Sequence, residues 1–180
     1  MAVPDDQLAD YLDRLVRDVP DYPKPGVVFK DITPLLGDAG GFAAVVDALV
    51  GERAAGSVDK VAGVEARGFI LAAPVAYRLR AGFVPIRKKG KLPSLTFEES
   101  YALEYGQGVV EVHTDAFVPG ERVLLVDDVL ATGGTAAASA ELVRRAGGVV
   151  VGLAVLIELG FLAGRSALPP GLDVRALLSV

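Results

Sequence analysis

The feature that most constrains the fold is the order of elements within residues 121–159. An apolar strand, ERVLLVDD at 121–128, ends in two aspartates. A loop of small residues entering a helix follows in TGGTAAASAELVRRAGG at 132–148, and a second apolar strand, VVVGLAVLIEL, occupies 149–159. Long apolar strands are typical of sheets covered by helices on both faces. This strand–helix–strand unit predicts an α/β fold with parallel strands and right-handed crossovers.

The same alternation extends along the rest of the chain. Apolar residues at helical spacing predict helices, and short apolar runs predict strands. The predicted helices cover residues 5–18, a segment around 42–49, and 68–80, and the other predicted strands cover 60–64, 82–88 and 109–113. A length of 180 residues suits one domain. We therefore expect a single domain, 1–180, with a central, mostly parallel sheet flanked by helices.

Two stretches do not fit regular elements. The first, at 21–38, carries Pro23, Pro25 and Pro34, which exclude a long helix or strand there. The second, KGKLPSLTFEESYALE at 89–104, is polar, carries Gly and Pro, and lacks a clean period. We predict it to be one long loop, because such loops in compact domains are usually lids or binding segments.

Composition excludes several kinds of site. The chain has no cysteine, which excludes disulfides and thiolate chemistry, and its one histidine, His113, argues against histidine metal sites and serine–histidine triads. No apolar stretch reaches the roughly 20 residues that a membrane span requires. The acidic N-terminal stretch lacks the basic region of a signal peptide. We expect a cytoplasmic protein that does not enter membranes.

The charge of the chain argues against nucleic acid as a partner. The net charge is −5, whereas nucleic-acid-binding domains are usually basic. Positive charge is instead concentrated in one run that contains Arg87, Lys88, Lys89 and Lys91. Such a run suits a small anionic ligand, but taken alone it fits a solvated basic loop better.

Ligands of open parallel sheets bind beyond the carboxyl ends of the strands. That rule brings three segments to one rim: EARG at 65–68, RKKGK at 87–91 and DDVLATGGT at 127–135. The last segment enters a helix, where unpaired N–H groups and the helix dipole favour a phosphate. Asp127 and Asp128 would repel a phosphate, so they are better used on a ribose diol or a cation. The residues alone therefore suggest a sugar phosphate.

Other interpretations of this loop are weaker. A Walker loop requires a lysine after its glycines, and a dinucleotide fingerprint requires G-x-G-x-x-G; neither is present here. A receiver domain would use the two acids on a metal and leave the TGGT loop without a role. The remaining alternative is an ordinary helix start beside an incidental acid pair. A Gly-Gly pair at a helix start is costly, however, unless the bare backbone is needed.

VLLVDDVLATGGT at 123–135 resembles the motif with which type I phosphoribosyltransferases bind phosphoribosyl pyrophosphate (PRPP). The resemblance implies that Asp127 and Asp128 hold the ribose hydroxyls. It also implies that five residues surround the 5-phosphate: Ala131, Thr132, Gly133, Gly134 and Thr135. The fold implied is the type I phosphoribosyltransferase fold, with a small N-terminal hood within residues 1–36.

Further stretches, in chain order, resemble adenine phosphoribosyltransferases in particular. They are DYPKPGVVFKDITPLL at 21–36 for the base-binding hood, EARGF at 65–69 for the pyrophosphate loop, IRKKGKLP at 86–93 and ESYALEYG at 99–106 for the catalytic-loop region, and IELGFLAGR at 157–165. The resemblance implies transfer of a 5-phosphoribosyl group from PRPP to adenine. The products would be AMP and pyrophosphate, as in purine salvage.

The resemblance also implies a base site. Phe29 would stack on adenine, which gives affinity rather than choice of base. The backbone N–H of Val28 would face adenine N1, and its carbonyl would accept from the exocyclic amine. Hypoxanthine inverts that pattern and would be rejected. Lys30 stands where the family often has arginine, and its backbone would serve the site.

For pyrophosphate, the resemblance implies Arg67, in a loop that Glu65, Ala66 and Gly68 shape around a non-proline cis bond. Arginine suits a bidentate grip on phosphate. Three further cations would meet pyrophosphate: Arg87, Lys88 and Lys91. A homodimer is implied as well, and Lys91 is similar to a residue that can reach across it.

The catalytic residue implied is Glu104, which would handle the proton of the purine. Tyr105, beside it, would belong to the PRPP site. The 89–104 loop would close over the site and exclude water. Mg²⁺ is the implied cofactor, held by PRPP without a direct protein ligand, because Mg²⁺ prefers substrate phosphates and water to a protein cage.

Two alternatives stay open. One is a phosphoribosyltransferase for another base, such as hypoxanthine, guanine, xanthine or orotate. The other is a regulator that keeps the PRPP fold but does not catalyse. The presence of Glu104 and Arg67 favours the enzyme over the regulator.

Overall fold

The N-terminal part of the chain contains a short hairpin between helices. The structure is a computed structural model that describes residues 5–102 and 107–180, and it divides into two units, Met1–Ala48 and Leu49–Val180. The elements that begin in the first unit are helix α1 (Asp5–Asp13), strands β1 (Arg17–Pro20) and β2 (Val28–Asp31), and helices α2 (Thr33–Gly37) and α3 (Ala39–Val50). Strands β1 and β2 pair antiparallel.

The predicted helix over 5–18 is too long at its C-terminal end. Helix α1 ends at Asp13, and Arg17 already belongs to strand β1. The apolar spacing of Leu15 and Val16 imitates a helix, but Pro20 and the pairing of β1 with β2 require extended backbone. The predicted second helix is confirmed as α3.

The second unit is built on a seven-stranded sheet in the order β5-β6-β4-β3-β7-β8-β9. Its strands are β3 (Lys60–Val64), β4 (Gly82–Lys88), β5 (Thr96–Ala102), β6 (Gln107–His113), β7 (Arg122–Leu130), β8 (Val149–Glu158) and β9 (Val174–Ser179). Five neighbouring strands, from β4 to β9, run parallel, and β5 and β6 add an antiparallel edge beside β4. The prediction of a mostly parallel sheet is confirmed.

Helices α4 (Arg67–Leu79) and α5 (Gly134–Arg145) connect parallel strands of this sheet. Helix α5 packs its buried face, including Leu142 and Val143, into a core with Ala62, Leu125 and other strand residues. Helix α4 buries its own apolar face, and its Ala72 lies against Gly63 of β3. Two 3₁₀ helices, Gly160–Leu162 and Gly164–Ala167, lead from β8 toward β9.

The prediction of one long loop over 89–104 is wrong for residues 96–102, which form the edge strand β5. The segment is polar because it lies at the edge of the sheet, and its anchors are Phe97 and Tyr101, which pack against the core. Arg145 of α5 covers the Phe97 ring, with its guanidinium carbon 5.5 Å from the ring centroid. None of the helices described has the length and apolar character that crossing a bilayer would require.

Candidate active site

Three neighbouring parallel strands, β4, β3 and β7, bring their carboxyl ends to one rim of the sheet. In the sheet, Val64 of β3 lies opposite Ile86 of β4, and Gly63 lies opposite Val126 of β7. The segments that follow these residues therefore meet at this rim, as the sequence predicts.

The phosphate loop, defined as Ala131–Thr135, lines a cavity together with Asp127. Helix α5 begins at Gly134, and its first N–H groups have no partner within the helix. The residue before it, Gly133, is buried and left-handed at φ 82°, and it has no side chain to cap those N–H groups. The backbone at this helix start has the geometry of an anion site.

The acid pair Asp127–Asp128 stands at the edge of this cavity, but β7 continues through both acids to Leu130. The prediction that the strand ends at the acids is therefore wrong by two residues. Asp127 Oδ1 accepts a hydrogen bond of 2.9 Å from the Asp128 N–H. Burial and the nearby charge of Asp128 raise the pKa of Asp127 well above its usual value.

Arg67 connects the pyrophosphate loop predicted at 65–69 to this acid pair. Its Nη2 lies 2.7 Å from Oδ2 of Asp128, whose carboxylate is almost fully buried. The next residue, Gly68, packs closely against the acid pair, because a Cβ there would come 2.7 Å from Asp127 Oδ1. The peptide bond between Glu65 and Ala66 is cis, as the resemblance implies.

Three members of the basic run contact one carboxylate, that of Glu65, whereas Lys89 pairs with Glu98. Lys91 Nζ lies 2.6 Å from Glu65 Oε1, Arg87 Nε lies 3.4 Å from Oε2, and the Lys88 N–H donates to Oε2 at 2.9 Å. Burial alone would raise the pKa of Glu65, but the hydrogen bonds from Lys91 and Lys88 and the charge of Arg87 hold that pKa below its usual value. Of the four cations predicted for pyrophosphate, the side chains of Arg87 and Lys91 thus meet on one ionised acid, whereas Arg67 contacts Asp128.

Sequence reasoning missed Glu111, which supports the turn that carries Lys91. This residue is 3% exposed, and its Oε1 accepts from the Lys91 and Leu92 N–H groups, both at 2.8 Å. Burial opposes ionisation of Glu111, but these backbone donors lower its pKa below the usual value. The available signal was a lone carboxylate inside the apolar strand VVEVH at 109–113.

The residues predicted for the base lie in the first unit, on β2. Val28 is exposed, and Phe29 meets Tyr22 edge to face with ring centroids 5.2 Å apart. Lys30 Nζ lies 2.7 Å from Asp18 Oδ1, so its side chain is held within the hairpin. The predicted catalytic Glu104 and its neighbour Tyr105 lie outside the described residues.

Comparisons with known proteins identify the family. The model of the phosphoribosyl transferase domain matches residues 36–169. The adenine phosphoribosyltransferase of Acidothermus cellulolyticus is 67% identical over 92% of this chain and 93% of its own length. That of Thermobifida fusca is 62% identical over 94% of this chain and 96% of its own.

A solved structure agrees as well. The crystal structure of the Rhodothermus marinus adenine phosphoribosyltransferase superposes with a TM-score of 0.92 at 51% identity, covering 97% of this chain and 99% of that one. The phosphate loop, the acid pair and the arginine loop thus occur on a fold shared with these enzymes over nearly the whole chain. The chain belongs to the phosphoribosyltransferase family and, within it, to the adenine phosphoribosyltransferases.

Proposed function

We propose that this protein transfers the 5-phosphoribosyl group of PRPP to N9 of adenine, which releases AMP and pyrophosphate. The observation that carries this proposal is the cavity shared by the phosphate loop and Asp127, with Asp128 and Arg67 beside it. A phosphate on the loop amides would leave the carboxylates facing neutral hydroxyls, which is the polarity of a ribose 5-phosphate. The names of the close relatives supply the base, adenine.

The pyrophosphate of PRPP would bind to Arg67, Arg87, Lys88 and Lys91. Two of these cations, Arg87 and Lys91, contact the carboxylate of Glu65. A pyrophosphate group carries the same kind of charge as that carboxylate, so it could replace Glu65 as their partner without rebuilding the turn. Such prearranged donors stabilise the charge that develops on the leaving group.

Adenine would stack on Phe29, and the backbone of Val28 would read its N1 and its exocyclic amine, beside Lys30. In a base with a carbonyl at position 6, the proton on N1 would meet the N–H of Val28, and the carbonyl oxygen would meet the carbonyl oxygen of Val28. Neither hydrogen bond could form. Each buried mismatch costs about 1–3 kcal/mol, which supports a preference for 6-aminopurines.

Glu104 would act as the general acid or base on the purine, with Tyr105 next to it in the PRPP site. Because residues 96–102 are held in β5, closure over the reacting ribose would fall to residues 89–95 and to the segment that carries Glu104. Closure would exclude water, since hydrolysis of PRPP competes with transfer. Attack by adenine N9 opposite the departing pyrophosphate would invert the anomeric carbon.

The acid pair also fits a divalent cation that arrives with PRPP. A cation held by PRPP close to Asp127 and Asp128 would relieve the repulsion that raises the pKa of Asp127, without direct ligation by either carboxylate. Within residues 5–102 and 107–180, no group of three acids or histidines is arranged to hold a metal. When bound, Mg²⁺ would neutralise charge on the pyrophosphate.

We also propose a cytoplasmic homodimer. Helix α4 carries apolar side chains at helical spacing on its outer face, where Ile70 is 44% exposed and Tyr77 is 85% exposed. Ala73 and Pro74 lie between them at the same spacing. An apolar stripe of this kind is suited to a second copy of the chain.

The test is AMP formation from adenine and PRPP by the purified protein, with and without Mg²⁺. We expect AMP with adenine, little product with hypoxanthine, guanine or xanthine, and loss of turnover when Mg²⁺ is chelated. Faster turnover with an oxopurine would assign a different base. No product with any base would favour the PRPP-sensing regulator.

A further inference from the structure

The segment Gly160–Ala167, here called the brace segment, lies directly behind the phosphate loop. A Cβ added at Gly164 would overlap the carbonyl oxygen of Ala131, and one added at Gly133 would overlap the carbonyl oxygen of Gly164. Gly164 is itself buried. The two stretches therefore touch backbone to backbone, with no side chain between them, and a displacement of Gly164 must displace Gly133.

The position of Gly164 is fixed by the next residue, Arg165. Its Nε and Nη2 donate to the two carboxylate oxygens of Glu158 at 2.8 and 2.7 Å. Its Nη1 also donates to the carbonyl oxygen of Val174 on β9, at 3.3 Å. A two-pronged arginine–carboxylate contact fixes direction as well as distance, so Arg165 has one defined orientation on the end of β8.

Glu158, the partner of the Arg165 guanidinium, is held in the sheet. Glu158 is a buried carboxylate at the last position of β8, where it lies opposite Leu130 of β7. The chain then continues the sheet, because the Leu159 N–H donates to the Leu130 carbonyl oxygen at 2.9 Å. Leu130 directly precedes the phosphate loop. The loop is thus held from its own strand on one side and, through Arg165 and Gly164, from β8 on the other.

We propose that Arg165 is a positioning residue for the 5-phosphate site, which it shapes by holding the Gly164 backbone against the phosphate loop. Arg165 acts through this backbone contact and need not touch the substrate. Its loss is expected to weaken every ligand that carries a 5-phosphate and to leave adenine alone unaffected. This inference rests on the proposed function, because it assumes that the loop binds the 5-phosphate.

The test compares Arg165→Ala with Arg144→Ala. Arg144 makes a similar two-pronged contact to Glu141 on α5, but that pair is exposed and lies away from the brace segment. Loss of a hydrogen bond to a charged group such as the 5-phosphate lowers affinity by about tenfold to a hundredfold. We expect Arg165→Ala to weaken binding of AMP and of ribose 5-phosphate by at least about tenfold, to raise the KM for PRPP, and to leave adenine binding close to that of Arg144→Ala. Its Tm should be the lower of the two, because the buried carboxylate of Glu158 loses its partner, so binding is compared well below both Tm values.

A second pair of variants tests the backbone contact itself. Gly164→Ala is expected to abolish binding of ribose 5-phosphate, because its Cβ meets the Ala131 carbonyl oxygen. Gly160→Ala is the matched control, since the nearest atom to its Cβ would be 3.6 Å away, and it should bind like the wild type. Arg165→Lys keeps the charge without the fork and should remain impaired.

The outcomes separate the two proposals. Arg165→Ala protein that binds AMP and ribose 5-phosphate as tightly as Arg144→Ala protein would overturn the positioning role of Arg165 while leaving the proposed function intact. So would an equal loss of adenine and AMP binding, which indicates general damage to the fold. Wild-type protein that binds neither AMP nor ribose 5-phosphate would overturn the proposed function and, with it, the positioning role of Arg165.

Discussion

At the scale of single residues, the candidate site contains carboxylates that are shielded from solvent, where burial opposes their ionisation. Asp127 shares a crowded rim with Asp128, and burial together with this neighbouring charge raises the pKa of Asp127. Glu65 and Glu111 are also shielded from solvent, but hydrogen-bond donors offset the cost of burying them. At Asp127 the backbone donor, Asp128 N–H, does not offset burial and the neighbouring charge, and acids with a strongly raised pKa are common at functional sites.

The first prediction concerns Asp127→Asn. The raised pKa means that ionisation of Asp127 destabilises the fold as pH rises above the usual aspartate range, so the variant should have a higher Tm than the wild type at pH 7. This difference should shrink toward pH 4, where the wild-type carboxyl is protonated. Loss of a charged acceptor for the ribose diol should weaken PRPP binding by about 1.5–3 kcal/mol, roughly tenfold to a hundredfold.

Calorimetric melts at both pH values and PRPP titrations would check this prediction. The amide oxygen that Asp127→Asn introduces can still accept the Asp128 N–H, so the local backbone is preserved. Unchanged PRPP affinity would remove Asp127 from the diol site.

The second prediction concerns Glu111. Glu111→Ala strands the Lys91 and Leu92 N–H groups and should cost about 1–3 kcal/mol of unfolding free energy, whereas Glu111→Gln keeps an acceptor oxygen and should cost less. Because its folded pKa lies below the ordinary 4.5, the charge of Glu111 stabilises the fold above that pH. This stabilisation is lost as pH falls through the lowered pKa.

Urea melts of the wild type and of Glu111→Gln between pH 3 and 7 would measure this effect. The gap in stability should be present at neutral pH and should close in acid. A gap that stays constant with pH would mean that the charge of Glu111 contributes nothing.

At the scale of secondary-structure elements, the buried strands were the most predictable part of the chain. The strands predicted at 60–64 and 82–88 are found with the same bounds, since long apolar runs have few other structures available. The edge strand β5 was not predicted, because its polar residues obscure the alternation of apolar and polar residues that marks a strand. Strand β9 was not predicted either. The helix-start chemistry of the phosphate loop was readable from TGGT at 132–135, but its contact with Gly164 depends on tertiary packing.

The third prediction, at this scale, concerns the approach of α4 to β7. Gly68→Ala would place a Cβ against Asp127, so we expect the start of α4 to shift and the contact between Arg67 and Asp128 to be disturbed. We expect the KM for PRPP to rise about tenfold or more. Gly37→Ala, whose Cβ would enter open space, is the control and should behave as the wild type. Equal kinetics for the two variants would show that the close approach is dispensable.

At the scale of the whole molecule, the residues assigned to the base and those assigned to PRPP belong to different units. Phe29 lies in Met1–Ala48, whereas the phosphate loop and the cations assigned to pyrophosphate lie in Leu49–Val180. The family relation covers both, because the curated relatives match more than nine-tenths of the chain. In the proposed dimer, helix α4 would contact a second copy of the chain.

The fourth prediction concerns that dimer. Tyr77→Asp places a charge in the middle of the exposed stripe on α4 and should shift the protein from dimer to monomer in sedimentation equilibrium. Val118→Asp, at a position 64% exposed and away from α4, is the matched control and should stay dimeric. A Tyr77→Asp protein that remains a dimer would place the interface elsewhere.

The central claim is that the bare amides of the phosphate loop bind the 5-phosphate while the neighbouring acids bind the ribose. A crystal structure of the protein with AMP tests this most directly. We expect phosphate oxygens within about 3 Å of the N–H groups between Ala131 and Thr135, and the ribose hydroxyls on Asp127 and Asp128. AMP bound with its phosphate away from this loop, or a loop whose amides face only protein atoms at saturating AMP, would contradict the claim.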